Sequence, residues 1–278
     1  MSSHRRSPLD GGVVLITGAS SGIGAAFAEL LGARAARLVL VARREARLLA
    51  LAESLIDKYP NLKVQVEAVD LADPAAARAL IERVEATAGG LDVLINNAGM
   101  GDIGLFASSD THKLENMLAV NVVGLTALTR AALPGMLARK RGAILFVSSG
   151  FGLTWMPFFS AYVGTKHYVS ALAESLRAEI AGQGVSIVQL CPGPVATEFE
   201  AVAGNPTGQK VPGFIELSAS EAAAAGIGAI DHDRALIVPG FWAELAILAG
   251  RISPRPVLRL FYGLLSRFVR PRLFPVPR

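Results

Sequence analysis

Short apolar runs alternate with helix-length amphipathic stretches along almost the whole chain, and this rhythm limits the fold more than any single residue does. Residues 13–17, 38–42, 64–69, 93–95, 143–147, 185–190 and 235–238 each read as a strand. Helical patterns fill 22–33, a stretch ending near Lys58, 74–88 with Pro74 in its first turn, 110–139, 161–181 and 220–230. Strands separated by helices pair in parallel through right-handed crossovers. The expected fold is therefore α/β, a doubly wound parallel sheet of about seven strands with helices on both faces. Ligands of such sheets bind beyond the carboxyl ends of the strands.

A chain of 278 residues can bury most of its surface in one such sheet and needs no disulfide or metal to fold. No internal repeat or low-complexity linker divides it. We expect a loose tail over 1–12, one nucleotide-binding and catalytic domain over 13–240, and a helical extension over 241–278. The single cysteine, Cys191, has no internal disulfide partner and reads as a small core residue, which fits a reducing, cytoplasmic compartment.

Hydrophobic residues make up 52% of the chain, and the mean hydropathy of +0.44 raises the question of a membrane span. No apolar run is long enough without interruption. Residues 241–250 are too few and include Glu244, and the apolar run behind Arg5 and Arg6 is only strand-sized. The net charge of +4 is also uneven, because 241–278 hold seven Arg and one Glu. That segment carries +6 and leaves the remainder at −2, so the main body offers no nucleic-acid face.

Between the first strand and first helix lie Thr17, Gly18, Ala19, Ser20, Ser21, Gly22, Ile23 and Gly24. Glycines there allow close approach of backbone to a pyrophosphate, whose charge the helix N-terminus favours. The second strand ends in Ala42, Arg43 and Arg44 rather than the acid that would hold the ribose hydroxyls of NAD. A guanidinium suits a 2′-phosphate, so NADP(H) is favoured over NAD(H); the alternative is an Arg43 that merely begins a solvated helix.

Tyr162 and Lys166 stand four residues apart near the start of a helix and so share a face. The cation is expected to draw the phenol pKa down toward a value useful in proton transfer. Ser148 and Ser149 end the fifth strand, where a hydroxyl can bond a substrate oxygen. The residues around Ser149 lack the nucleophile-elbow pattern, which leaves it a binding hydroxyl.

In this order the motifs resemble the compact, single-domain branch of the short-chain dehydrogenase/reductases. The likeness runs from about Val13 to Val238 and takes in the Gly18/Gly22/Gly24 turn, Asp70-Leu71, Asn96-Asn97-Ala98-Gly99, Asn121, Ser149, Tyr162/Lys166 and Pro192-Gly193 with Thr197. It implies a Rossmann-type sheet and assigns roles. Asp70 would hold the adenine amino group and Asn97, Ala98 and Gly99 would line the adenosine ribose. Thr197 and the backbone near Val195 would hold the carboxamide. Lys166 would grip the nicotinamide ribose, Asn121 would hold a water of the proton relay, and Arg43 would read the 2′-phosphate. Ser149, Tyr162 and Lys166 with Asn121 would be the catalytic set, and homodimers or homotetramers through the helices of 110–139 and 161–181 are implied.

Trp155, Met156, Phe158, Phe159 and Phe199, with 204–214, suit either an apolar substrate or plain packing of core or subunit contact. Val257, Leu260, Phe261, Leu264, Leu265 and Phe268 recur at helical spacing opposite Arg259, Gly263, Ser266, Arg267 and Arg270. Such a basic amphipathic helix, 257–270, can lie peripherally on an anionic membrane, cover the site mouth or pack on a partner subunit. The reading is a reductase or dehydrogenase of a small apolar carbonyl or alcohol. Its rivals are an NAD-linked alcohol dehydrogenase and a non-catalytic nucleotide-binding protein.

Overall fold

The computed structural model describes residues 6–199, 203, 204 and 216–273, with 271–273 in backbone only. Seven strands form one sheet: β1 (Val13–Thr17), β2 (Arg37–Ala42), β3 (Lys63–Ala68), β4 (Val93–Asn96), β5 (Gly142–Val147), β6 (Val185–Leu190) and β7 (Leu236–Ile237). Their order is β3-β2-β1-β4-β5-β6-β7 and every pairing is parallel. The chain winds one way from β1 to β3 and the other way from β4 onward. The crevice between β1 and β4 is thus the switch point where such sheets bind ligands.

Side-chain alternation along the strands divides the core in two. Val14 and Ile16 of β1, with Leu38 and Leu40 of β2, pack against α1 (Gly22–Leu31), α2 (Glu45–Lys58) and α7 (Ala219–Asp231). Leu15, Val39 and Val41 face α3 (Pro74–Ala88), α5 (Leu125–Arg139) and α6 (Ser160–Glu179). Local chemistry fixes the ends. Asp73 caps α3 by accepting from the Ala75 N–H at 2.8 Å, Pro74 opens it, and Gly89 closes it at a φ of 74°.

Two segments depart from the sequence expectations, and the expected helical extension is present as a pair of helices. Residues 7–12 are not a loose tail: Leu9 is fully buried and the Gly11 N–H donates to the Arg34 carbonyl at 2.8 Å. Residues 1–5 lie outside the described residues. The helical pattern over 110–139 is α4 (Thr111–Leu118), a wide π turn (Ala119–Gly124) and α5, not one uniform helix. A side chain at Gly124 would run into the Leu71 carbonyl, so the turn is pressed tightly beneath that loop. Finally, the C-terminal extension is two helices, α8 (Phe241–Ile252) and α9 (Arg255–Leu273).

Thr111–Arg139 is long and apolar enough to cross a membrane by length and composition. Here its Leu125, Leu128, Ala132 and Met136 fill the second core, and its middle carries Asn121 into the crevice.

Candidate active site

The glycine turn is shaped by contact as well as by torsion. Gly18 and Gly22 sit at φ of 68° and 56°, where a side chain is strained. A Cβ on Gly24 would strike the Gly18 carbonyl, and one on Gly22 would lie 3.0 Å from the Thr197 methyl. The turn and the loop after β6 therefore face each other across the crevice, with Ser20, Ser21 and Ile23 partly exposed on its rim. Thr17, which sequence reasoning passed over, fastens this geometry. Its hydroxyl donates to the Ile95 carbonyl at 3.1 Å and accepts from the Asn97 and Ala98 N–H groups at 2.9 Å each. The only signal was a hydroxyl at the strand end directly before the glycines.

Asn97 turns inward, donating through Nδ2 to the Thr17 carbonyl at 2.8 Å, so its amide braces the turn. Ala98 is half-buried and Gly99 exposed beside it. A methyl on Gly99 would lie 3.5 Å from Asn121 Oδ1 and 3.6 Å from Lys166 Nζ, which places backbone at the crevice floor between those side chains. Asp70 is exposed at the end of the β3 loop, with Oδ1 accepting from the Ala72 N–H at 3.0 Å, while Leu71 is buried behind it.

Around the end of β2, Arg43 is exposed and its side chain engages no described residue. Arg44, by contrast, crosses the turn. It donates to Ser20 Oγ at 3.0 Å, to Ser21 Oγ at 2.7 Å and to Glu198 at 2.8 Å, and Arg47 reaches the other Glu198 oxygen at 2.7 Å. The two guanidiniums hold the Glu198 carboxyl down to about 2. Sequence reasoning did not find this cluster, because Glu198 lies 154 residues from Arg44.

The reactive groups converge from β5, α6 and the π turn. The Ser149 side chain stands near enough to the Tyr162 phenol to oppose the rise of its pKa, and its Oγ accepts from the Phe151 N–H at 3.2 Å. Ser148 instead turns into the core, donating to the Lys166 carbonyl and bonding Ser170. Lys166 Nζ donates to the Val147 carbonyl at 2.9 Å and stands 5.8 Å from the Tyr162 ring centre. Asn121 holds the Met100 main chain at both its N–H and carbonyl, 2.8 Å each, and donates to Thr165 Oγ1. With its amide so engaged, any water that Asn121 holds is left to its main chain. A π turn at such a position is a common functional device.

The expected lowering of the Tyr162 pKa is not what this environment gives. Burial pushes the phenol up to about 12, opposed by the Ser149 side chain, and burial brings the Lys166 ammonium down to about 8. Desolvation outweighs attraction across nearly 6 Å. At neutral pH Tyr162 is a proton donor. Cys191 is fully buried and its thiol is pushed up to about 11, mainly by burial.

After β6, the Pro192 carbonyl accepts from the Gly150 N–H at 2.8 Å, and Val195 bridges to Leu217. Gly193 abuts Ala243 of α8. Phe199 stands over the phenol with ring centres 5.3 Å apart, and Phe151 meets it edge-on at 6.4 Å. Two open depressions lie elsewhere among the described residues, one between α2 and β3 and one near Gly11 and Arg139. Residues 205–214, read from the sequence as suiting an apolar substrate or packing, fall outside the described residues.

The family profile described as short chain dehydrogenase matches residues 12–206. The chain belongs to the short-chain dehydrogenase/reductase family. An Anopheles gambiae protein named dehydrogenase/reductase SDR family protein 7-like is 34% identical over 252 residues, 89% of this chain and 77% of its own length. Other relatives of similar identity are matched over only 60% or 62% of their length. Among solved structures, a Sphingobium yanoikuyae short-chain dehydrogenase in complex with NADPH is 32% identical with a TM-score of 0.76, covering 91% of this chain and 95% of that one. A Burkholderia phymatum relative in complex with NAD is 27% identical with a TM-score of 0.77, covering 91% and 96%.

Proposed function

We propose that this oxidoreductase reduces a small apolar ketone, or oxidises the matching secondary alcohol, with NADP(H) as cofactor. The observation that carries it is the Ser149 hydroxyl near the Tyr162 phenol, with Lys166 one helical turn along and buried beside the crevice. The glycine turn fits a dinucleotide: Gly18 and Gly22 hold a positive-φ turn at the N-terminus of α1, and Arg43 is unengaged among the described residues where a 2′-phosphate would lie. Gly18 to Gly24, Asp70, Leu71, Asn97 to Gly99 and the Pro192, Gly193, Val195 and Thr197 segment would hold it. When bound, the nicotinamide supplies hydride.

The chain's own groups do the rest. Ser149 and Tyr162 donate to the carbonyl oxygen where negative charge develops, and Tyr162 gives up its proton as the alcohol forms. Lys166 keeps a positive charge beside the phenol, and Asn121 fixes the Met100 segment that walls the site. Residues 13–240 form the catalytic unit in this reading, and 241–278 are appended to it. The chain works in the cytoplasm as a homodimer or homotetramer, meeting a membrane peripherally through 257–270. A second reading, an NAD-linked dehydrogenase, gains support from Glu198, which already occupies Arg44 and Arg47.

The test is consumption of NADPH and of NADH over ketones graded by size and polarity. Turnover of apolar ketones in preference to polar ones with NADPH supports the proposal; binding of cofactor with no turnover of any ketone ends it.

A further inference from the structure

The C-terminal helix pair wears its apolar side outward. On α8 the small or aliphatic residues Ala243 and Ile247 are buried, while Phe241, Trp242, Leu245, Leu248 and Ile252 are between 48% and 74% exposed. At 100° per residue these five fall on the side opposite the buried pair. On α9, Tyr262 packs on Trp155 with ring centres 4.5 Å apart, yet Val257, Leu260, Phe261 and Leu264 are each more than half exposed. Two helices in sequence, each with an uncovered apolar face, exceed what scattered surface residues explain.

The same helices touch both jaws of the catalytic crevice. A Cβ on Gly150, next to Ser149, would lie 2.7 Å from Ile247, and one on Gly193 would lie 2.9 Å from Ala243. Trp155 belongs to the segment between Ser149 and Tyr162, and Phe151 links Phe159 to Tyr162 at 4.9 and 6.4 Å. Apolar side chains thus surround the phenol and recur where α8 and α9 pack beside it.

We propose that α8 and α9 dock this chain on an anionic lipid bilayer and set the catalytic crevice at the membrane surface, so that its substrate is a ketone dissolved in the bilayer. Charge selects this occupant. Arg251, Arg255, Arg259, Arg267 and Arg270 are exposed around the apolar faces, none makes a salt bridge with a described residue, and Glu244 is the only acid of the pair. A second copy laid on the same face would bring arginine against arginine. Anionic headgroups satisfy them, and Trp242 suits the interfacial layer. The substrate half of the proposal rests on the reductase reading above.

The experiment floats the full chain with vesicles of phosphatidylcholine alone or mixed with phosphatidylserine. The wild type is expected to float with the mixed vesicles roughly tenfold better, losing that increment in high salt. The triple variant Leu245→Ser, Leu248→Ser, Phe261→Ser should stay in solution while turning over a short water-soluble ketone at the wild-type rate. Its rate on a long-chain ketone held in vesicles should fall roughly tenfold. Arg255→Gln with Arg259→Gln should lose only the phosphatidylserine increment. No flotation of the wild type, or equal flotation of the triple variant, overturns the docking. A wild-type dimer that becomes monomeric in the triple variant without flotation overturns it in favour of a second copy. Equal loss on both ketones overturns the substrate half. Flotation with no turnover of any ketone leaves docking supported and ends the reductase reading alone.

Discussion

The Glu198 carboxylate spans Arg44 and Arg47 at 2.8 and 2.7 Å, and so ties the loop after β6 to the helix that follows β2. Arg44 and Arg47 follow Arg43 in the chain, and a 2′-phosphate arriving there would compete with the carboxylate for them as a more highly charged anion. Removing the carboxylate frees them. Glu198→Gln should tighten NADPH roughly three- to tenfold and leave NADH within about twofold, by the usual conversion of affinity to free energy. Arg43→Ala should erase any preference for NADPH. Because Glu198 is held down to about 2, its pair persists at every pH well above that value and is weakened by salt instead. Titration calorimetry with both cofactors decides it: equal affinities in the wild type and both variants would remove these arginines from cofactor selection.

Tyr162→Phe removes the proton donor and keeps the ring packed against Phe199 and Phe151. Turnover should drop on the order of 10²–10⁴-fold, while the NADPH dissociation constant stays within about twofold. Steady-state kinetics with cofactor fluorescence separates the two. A variant that keeps its rate would take the proton transfer away from Tyr162.

The pH profile follows from burial. Tyr162, raised to about 12, remains protonated throughout the neutral range, so the donor itself does not limit reduction there. Lys166, lowered to about 8, loses its charge above that pH, and the reduction rate should fall with it. The linked stability has a definite sign. The unfolded lysine binds a proton up to about 10.5 and the folded one only to about 8, so between them stability rises with pH. Tyr162 acts the other way between about 10 and 12, where the folded chain holds the extra proton. Cys191, raised to about 11, opposes Lys166 from about pH 9 upward, so urea midpoints should climb between pH 8 and 9 in the wild type and not in Lys166→Met.

Gly24→Ala places a methyl against the Gly18 carbonyl, a backbone atom that cannot rotate away. Overpacking of this kind costs about 1–3 kcal/mol, and the turn must open to relieve it. Thermal unfolding should show the loss, and NADPH affinity should fall by about tenfold or more. Gly164→Ala is the control, since its added methyl meets nothing within 4 Å.

The fold was legible because its signals are local. Most strands are runs of apolar residues and β3 alternates, and each crossover carries its own helical period; Pro74 and Gly89 even mark the ends of α3. The glycine turn and the Tyr162/Lys166 spacing were legible for the same reason. What escaped were relationships between distant segments. Glu198 on Arg44 needs the crevice to close before the two can meet. The π turn within 110–139 lies where Gly124 packs against the Leu71 carbonyl, a distant contact that no periodicity in the helix records. The direction of the Tyr162 shift was misjudged because two charges on one face suggest attraction, whereas the folded core imposes desolvation. On α8, the length of 241–250 and its Glu244 bear on spanning a membrane and not on which side faces out. Which side faces out is decided by Gly150 and Gly193, small residues on other elements that admit Ile247 and Ala243.

Lys166 is bonded to the end of β5, Ser149 caps the turn that follows it, and Asn121 is held in a wide helical turn against Met100. All three are anchored to parts of the scaffold that the sheet itself holds in place. The aromatic residues from Phe151 to Phe159 sit on the short connection before α6, outside that frame. If the proposed reaction holds, changes in the side chains of that connection would redirect which substrate is accepted without moving the anchored groups, so substrate range would drift across descendants of such a chain while its reaction stayed the same.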